Sequence, residues 1–117
     1  MQAERTPIFV RTYDFILWLL PHTARWPKNF RRSLTERLEG TLLDFQKEIL
    51  RANRLRGEAR LGALDEADGL LDAIRMLVRL ATDLKCLSMR QYEFSAEKLV
   101  EIGRLLGAWR KATEAGR

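Results

Sequence analysis

An all-α, up-down-up-down four-helix bundle is the fold that this 117-residue sequence predicts. Four separate stretches carry apolar residues at spacings of three and four, the repeat that keeps side chains on one helix face. Proline, glycine or a capping residue separates each stretch from the next. No segment alternates with the period of two that a half-buried strand requires, and there is no internal repeat. Helices of roughly 16–26 residues with short connections pack antiparallel to their neighbours, in a bundle about 30 Å long.

The first helix spans roughly 5–20, with Ile8, Phe9, Thr12, Phe15, Ile16 and Leu19 on its apolar side. Pro7 suits a first turn, and Pro21 is expected to stop the helix. The segment HTARWPKN, 22–29, then reads as the connection. A second helix runs from about Phe30 to Leu55 on the stripe Leu34, Leu38, Leu42, Phe45, Ile49 and Ala52. Gly57 marks its end, where Arg51, Arg54 and Arg56 suit the carbonyl end of the dipole.

The third helix starts between Glu58 and Leu64, with Asp65, Glu66 and Asp68 in its first turns. Its stripe is Leu64, Ala67, Leu71, Ile74, Val78, Ala81 and Leu84, followed by a break at Lys85–Ser88. The fourth helix extends from Ser88 to Lys111, and Ser88 with Gln91 has the spacing of a capping box. Tyr92, Ala96, Leu99, Ile102, Leu106 and Trp109 share its apolar face. Gly103 and Gly107 lie beside that face, each costing about 1 kcal/mol of helix stability relative to alanine. Their spacing predicts another backbone packed closely there. With Trp109, they are candidates for tight packing within the protomer or across a subunit seam.

The length fits one domain, 1–117, and 46% apolar residues suffice for a buried core. The single cysteine, Cys86, allows no internal disulfide and is expected to be a small core residue in a reducing cytoplasm. No signal peptide is visible, and the apolar run Phe15–Leu20 is too short to span a membrane.

The net charge is +5 and unevenly placed. Residues 1–60 carry 12 Lys and Arg against 7 Asp and Glu, whereas 61–117 carry 9 of each. The bundle topology divides these cations between two ends. Arg25, Lys28, Arg31 and Arg32 gather near Lys85 and Arg90; Arg51, Arg54, Arg56 and Arg60 gather with Arg110, Lys111 and Arg117. Either cluster suits phosphates, and either also suits solvated helix ends.

Chemistry is sparse. One histidine, His22, and one distant cysteine make no metal set, and no Glu-x-x-His pair is present. No nucleophile has a base and an orienting partner, and there is no glycine-rich phosphate loop, so neither an enzyme nor a cofactor is expected. Small helical chorismate mutases use arginines inside a bundle, but RTPIFVRTYDFILWLL lacks their N-terminal acidic pattern. On the third helix, Asp68, Asp72, Arg75, Arg79 and Asp83 form one strip, in which Asp72 can pair with Arg75 and Arg79 with Asp83. The strip reads either as a surface ladder or as a place where two arginines hold carboxylates or phosphates.

The pattern ADGLLDAIRMLVRLA, 67–81, followed by MRQYEFSAEKLVEIGRLLGAW, 89–109, resembles the accessory variability determinant, Avd, of diversity-generating retroelements. LLPHTARWPKNFRRSLTERLEGTLLDFQKEILRAN, 19–53, resembles the proline-bounded loop and second helix of the wider family. That family includes four-helix bundles encoded in intervening sequences of large-subunit ribosomal RNA genes, whose role is structural or unknown. The resemblance implies a homopentameric barrel that binds the retroelement reverse transcriptase and nucleic acid, RNA or DNA, in support of mutagenic retrohoming. It implies that Arg75 and Arg79, matching paired arginines of the family's third helix, contact the polymerase or nucleic acid. This chain is less basic than family members can be, although a pentamer would sum its charge.

Overall fold

The computed structural model describes residues 6–116. Four helices order the chain: α1 (Thr6–Thr23), α2 (Glu36–Arg54), α3 (Gly57–Asp83) and α4 (Met89–Ala115). The expected start at Arg5 lies outside the described residues. Each helix packs on two others in a square arrangement, α1 on α2 and α4, α3 on α2 and α4. Cross-helix contacts fix the directions. Phe9 meets Trp109 edge-on at 5.8 Å, whereas Trp18 meets Phe94 at 4.7 Å, so α1 and α4 are antiparallel. Thr23 donates to Glu39, Arg60 donates to the Ala52 carbonyl, and Arg110 meets Asp65, reversing direction at each remaining seam. The molecule is 47 Å long rather than about 30 Å, because α3 and α4 each run 27 residues, about 40 Å of helix. No helix among the described residues is long and apolar enough to cross a membrane.

The expected stripes form the core. All six named positions of the first helix are buried, as are all six of the second. Leu38, Ile49 and Ile74 are almost wholly excluded from water, and truncating such a side chain to alanine costs about 2–5 kcal/mol. On α4, Tyr92 and Ala96 are only half-buried, and Ser95 takes the core position with its hydroxyl donating to the Tyr92 carbonyl at 2.9 Å.

Helix ends depart from expectation in instructive ways. Pro21 does not stop α1, which continues to Thr23. The N–H that proline lacks would have served the carbonyl of Leu17, an exposed residue on the outer side of the helix. The last turn is secured by side chains: His22 Nδ1–H donates to the Trp18 carbonyl at 2.7 Å and Thr23 to the Leu20 carbonyl at 3.0 Å. The second helix enters through a 3₁₀ turn, Lys28–Phe30, and a π turn, Arg31–Thr35, which seats Leu34 and Thr35 in the interior before α2 begins.

Gly57 does not simply follow α2; it is the first residue of α3, earlier than the predicted window, and its φ of +55° is one that other residues avoid. Leu55 and Arg56 are the whole connection. Arg60 turns back and caps α2, its Nε donating to the Ala52 carbonyl at 2.9 Å.

α3 ends in a Schellman motif. Cys86 N–H donates to the Ala81 carbonyl at 2.8 Å and Lys85 N–H to the Thr82 carbonyl at 3.0 Å. Leu84 falls in this cap and is exposed rather than part of the buried stripe. The predicted capping box opens α4, with Gln91 N–H donating to Ser88 Oγ at 3.1 Å and Ser88 N–H to Gln91 Oε1 at 2.9 Å. Cys86 packs against the core, and burial pushes its thiol above the ordinary range.

The Schellman residue is normally glycine, yet Lys85 holds φ 68°. Lys85→Gly should therefore stabilise the protein by about 1 kcal/mol, visible as a later midpoint in urea. An earlier midpoint would mean that the lysine side chain contributes more than its backbone costs.

Candidate functional site

The strip on α3 is an ion-pair ladder, and its pairs are those that the spacing predicts. Arg75 Nη1 lies 2.9 Å from Asp72 Oδ1, and Arg79 Nε lies 3.4 Å from Asp83. All four side chains are exposed, so the attraction is largely screened by water. Asp83, then the Tyr92 hydroxyl, hold the Arg79 guanidinium further above its ordinary pKa. With Asp68, the five side chains carry three negative and two positive charges. The strip therefore offers oriented guanidinium groups without a net positive field.

Gly103 sits beside this ladder and performs a task other than the expected one. No backbone packs on it; Nη2 of the Arg75 guanidinium points at it, where a β-carbon would collide. Gly107, one turn further, has open space above it. Trp109 is buried within the protomer against Phe9.

The two ends of the bundle differ in how their cations are engaged. The end holding the first and third connections carries Arg25, Lys28, Arg31, Arg32, Lys85 and Arg90, all exposed. None of these makes an ion pair among the described residues. At the opposite end three of the six described cations are committed. Arg51 pairs with Glu48 at 2.8 Å, and Arg110 with Asp65 at 2.6 Å and Glu114 at 3.7 Å. Arg60 bonds the α2 carbonyls and stacks 5.7 Å above the Trp109 ring. Arg54, Arg56 and Lys111 there are exposed, and Arg117 lies outside the described residues.

A second apolar surface went unread in the sequence. Val10, Tyr13 and Leu17 are 42%, 57% and 61% exposed and form a stripe of their own on α1, next to a shallow groove with Leu20 and Pro21. Leu43 and Leu50 follow Glu39 along the edge of α2 that faces α1, so the two stripes adjoin. The signal was present, since apolar residues at 10, 13 and 17 repeat by three and four outside the core stripe. Between α1 and α4 a smaller hollow is lined by Arg11, Asp14, Trp18, Phe94, Lys98 and Glu101. Its charges are mostly used locally: Arg11 bonds Glu101 at 3.1 Å, and Lys98 stands 5.2 Å above the Phe94 ring.

Among the described residues no group of three or more His, Cys, Asp or Glu side chains is placed to hold a metal ion. A family model described as bAvd-like matches residues 8–113, nearly the whole chain. No curated protein matches it.

The commitment of Arg60 separates it from its neighbours. Arg60→Ala should destabilise the protein by about 1–2 kcal/mol through loss of the α2 cap and the cover on Trp109. Arg54→Ala, at an exposed position without such bonds, should leave the denaturation midpoint nearly unchanged. Equal effects in the two variants would contradict the capping role.

Proposed function

Because the chain belongs to the bAvd-like family, we propose that it is a non-enzymatic accessory protein of a diversity-generating retroelement. It binds the reverse transcriptase and nucleic acid, template RNA or cDNA, as a cytoplasmic homopentamer, and supports mutagenic reverse transcription and retrohoming. The observation that carries the reading beyond the family is the sorting of charge over the bundle. Six uncommitted cations gather at one end, while the arginines of the α3 ladder are neutralised where they stand.

Those two surfaces suit different partners. Phosphates are drawn to uncompensated positive charge, release counterions on binding and need no base-reading side chains. Arg25, Lys28, Arg31 and Arg32, with Lys85 and Arg90, are the nucleic-acid contacts favoured on this basis, ahead of Arg51, Arg54, Arg56 and Arg60. A net-acidic ladder with two paired guanidinium groups suits a protein surface of mixed charge, so Arg75 and Arg79 are assigned to the polymerase. The apolar surface of α1 and α2 supports self-assembly, because a closed ring hides such a face in every subunit. Gly107, open in the protomer, remains available to such a seam.

Light scattering after size exclusion should give a mass near five protomers of 13.6 kDa. Leu17→Glu, at an exposed position, should reduce that mass without unfolding the protomer, as circular dichroism would show. A monomeric parent protein would remove the pentamer from the proposal.

Replacing Arg25, Lys28, Arg31 and Arg32 by alanine should weaken binding to a single-stranded oligonucleotide. It should also lower the slope of log affinity against log salt by roughly 0.7 per lost phosphate contact. The same change at Arg51, Arg54 and Arg56 should do less. Arg75→Ala with Arg79→Ala should leave oligonucleotide binding intact and weaken co-purification of the polymerase. The reverse pattern would exchange the two assignments.

A further inference from the structure

Gly103 is an expensive residue in the middle of a 27-residue helix, and the protomer gives it one neighbour that explains it. A β-carbon there would touch Leu71 Cδ2 at 3.5 Å and Arg75 Cζ at 3.7 Å, both tolerable, but would overlap Arg75 Nη2. Nη2 of the guanidinium therefore points end-on into the space that the missing side chain leaves. Asp72 holds it from the other side through Nη1 at 2.9 Å. An exposed arginine ordinarily samples many rotamers and loses that freedom on binding. Here the open seat at Gly103 and the pair with Asp72 favour one placement beforehand. Arg79 has an ion-pair partner, Asp83, but no glycine is seated beneath it.

We propose that Gly103 is a positioning residue that pre-sets the Arg75 guanidinium for bidentate capture of a carboxylate on the protein bound to the α3 ladder. This rests on the assignment of that ladder to the polymerase. The guanidinium has five donors in a planar fork, and its pair with Asp72 engages Nη1, leaving the Nε–Nη2 edge to a planar acceptor. A carboxylate matches better than nucleic acid, because Asp68, Asp72 and Asp83 on the same strip repel a polyanion. An added methyl at position 103 would lift Arg75 out of the groove and return it to the rotamer mixture of an ordinary surface arginine.

The test is a double-mutant cycle of Gly103→Ala and Arg75→Ala, read in two ways. In the free protein, Gly103→Ala on the Arg75→Ala background should raise the melting temperature by about 4 °C, the value of a glycine-to-alanine change in a helix. On the parent background the rise should be clearly smaller, because the methyl must displace the guanidinium. Equal rises on both backgrounds would show that Arg75 does not occupy the seat, and would overturn the inference without any polymerase being present.

In the second reading, affinity for the retroelement reverse transcriptase should fall about tenfold with either single change and no further with both. Arg75→Lys should fail to restore it, since an ammonium lacks the fork. Gly103→Ala binding as well as the parent would also overturn the inference. Should the parent itself fail to bind the polymerase, the functional reading falls, while the melting cycle still decides whether Gly103 seats Arg75.

Discussion

The reversal between α2 and α3 is the constraint on which the rest of the bundle depends. Only Leu55 and Arg56 are available to turn the chain, so the last carbonyls of one helix face the first turn of the next across a very short gap. Two features make this feasible. Gly57 supplies a backbone conformation that a side chain would resist, and Arg60 returns a charged donor to the carbonyls of Ala52 and Asn53. With the reversal fixed, α2 and α3 run antiparallel, and Ile49, Ala52 and Leu64 all lie in the buried core. The same guanidinium then covers Trp109 on α4. One side chain thus links the ends of three helices, and so basic a connection does not amount to a free basic surface.

Much of this was legible in the sequence because it depends on local spacing. The apolar stripes, the Ser88–Gln91 box and the Asp72–Arg75 and Arg79–Asp83 pairs all involve partners within one or two helical turns. What escaped depends on facts that spacing does not carry. Whether Pro21 ends a helix depends on where the carbonyl of Leu17 points, and that is set by the packing of the whole helix. Lys85 at a left-handed position goes against residue preference, because the surrounding cap bonds determine it. Gly103 was recognised as needing a close neighbour, but the neighbour is an arginine 28 positions earlier on another helix rather than a backbone. The outer stripe of α1 was masked by the core stripe beside it.

Charge illustrates the same division. Counting places the excess in the first half of the chain, and topology sends it to both ends of the bundle. Only the resolved partners show that one end uses Arg51, Arg60 and Arg110 to hold carbonyls and carboxylates, while the other leaves all six of its cations uncommitted. A formal charge of +5 is thus less informative than the arrangement that spends some of those charges on structure.

Three of the four principal seams join helices that are neighbours in sequence, and the fourth, between α1 and α4, joins positions as distant as Arg11 and Glu101. Local seams close readily, whereas a distant one waits until the intervening helices have formed, so the α1–α4 seam is the one that completes the protomer. α1 carries apolar residues both toward the core and along its outer stripe. The seam that closes last thus involves the helix that also carries an apolar outer stripe, so a chain caught before that closure exposes both faces of α1 to water.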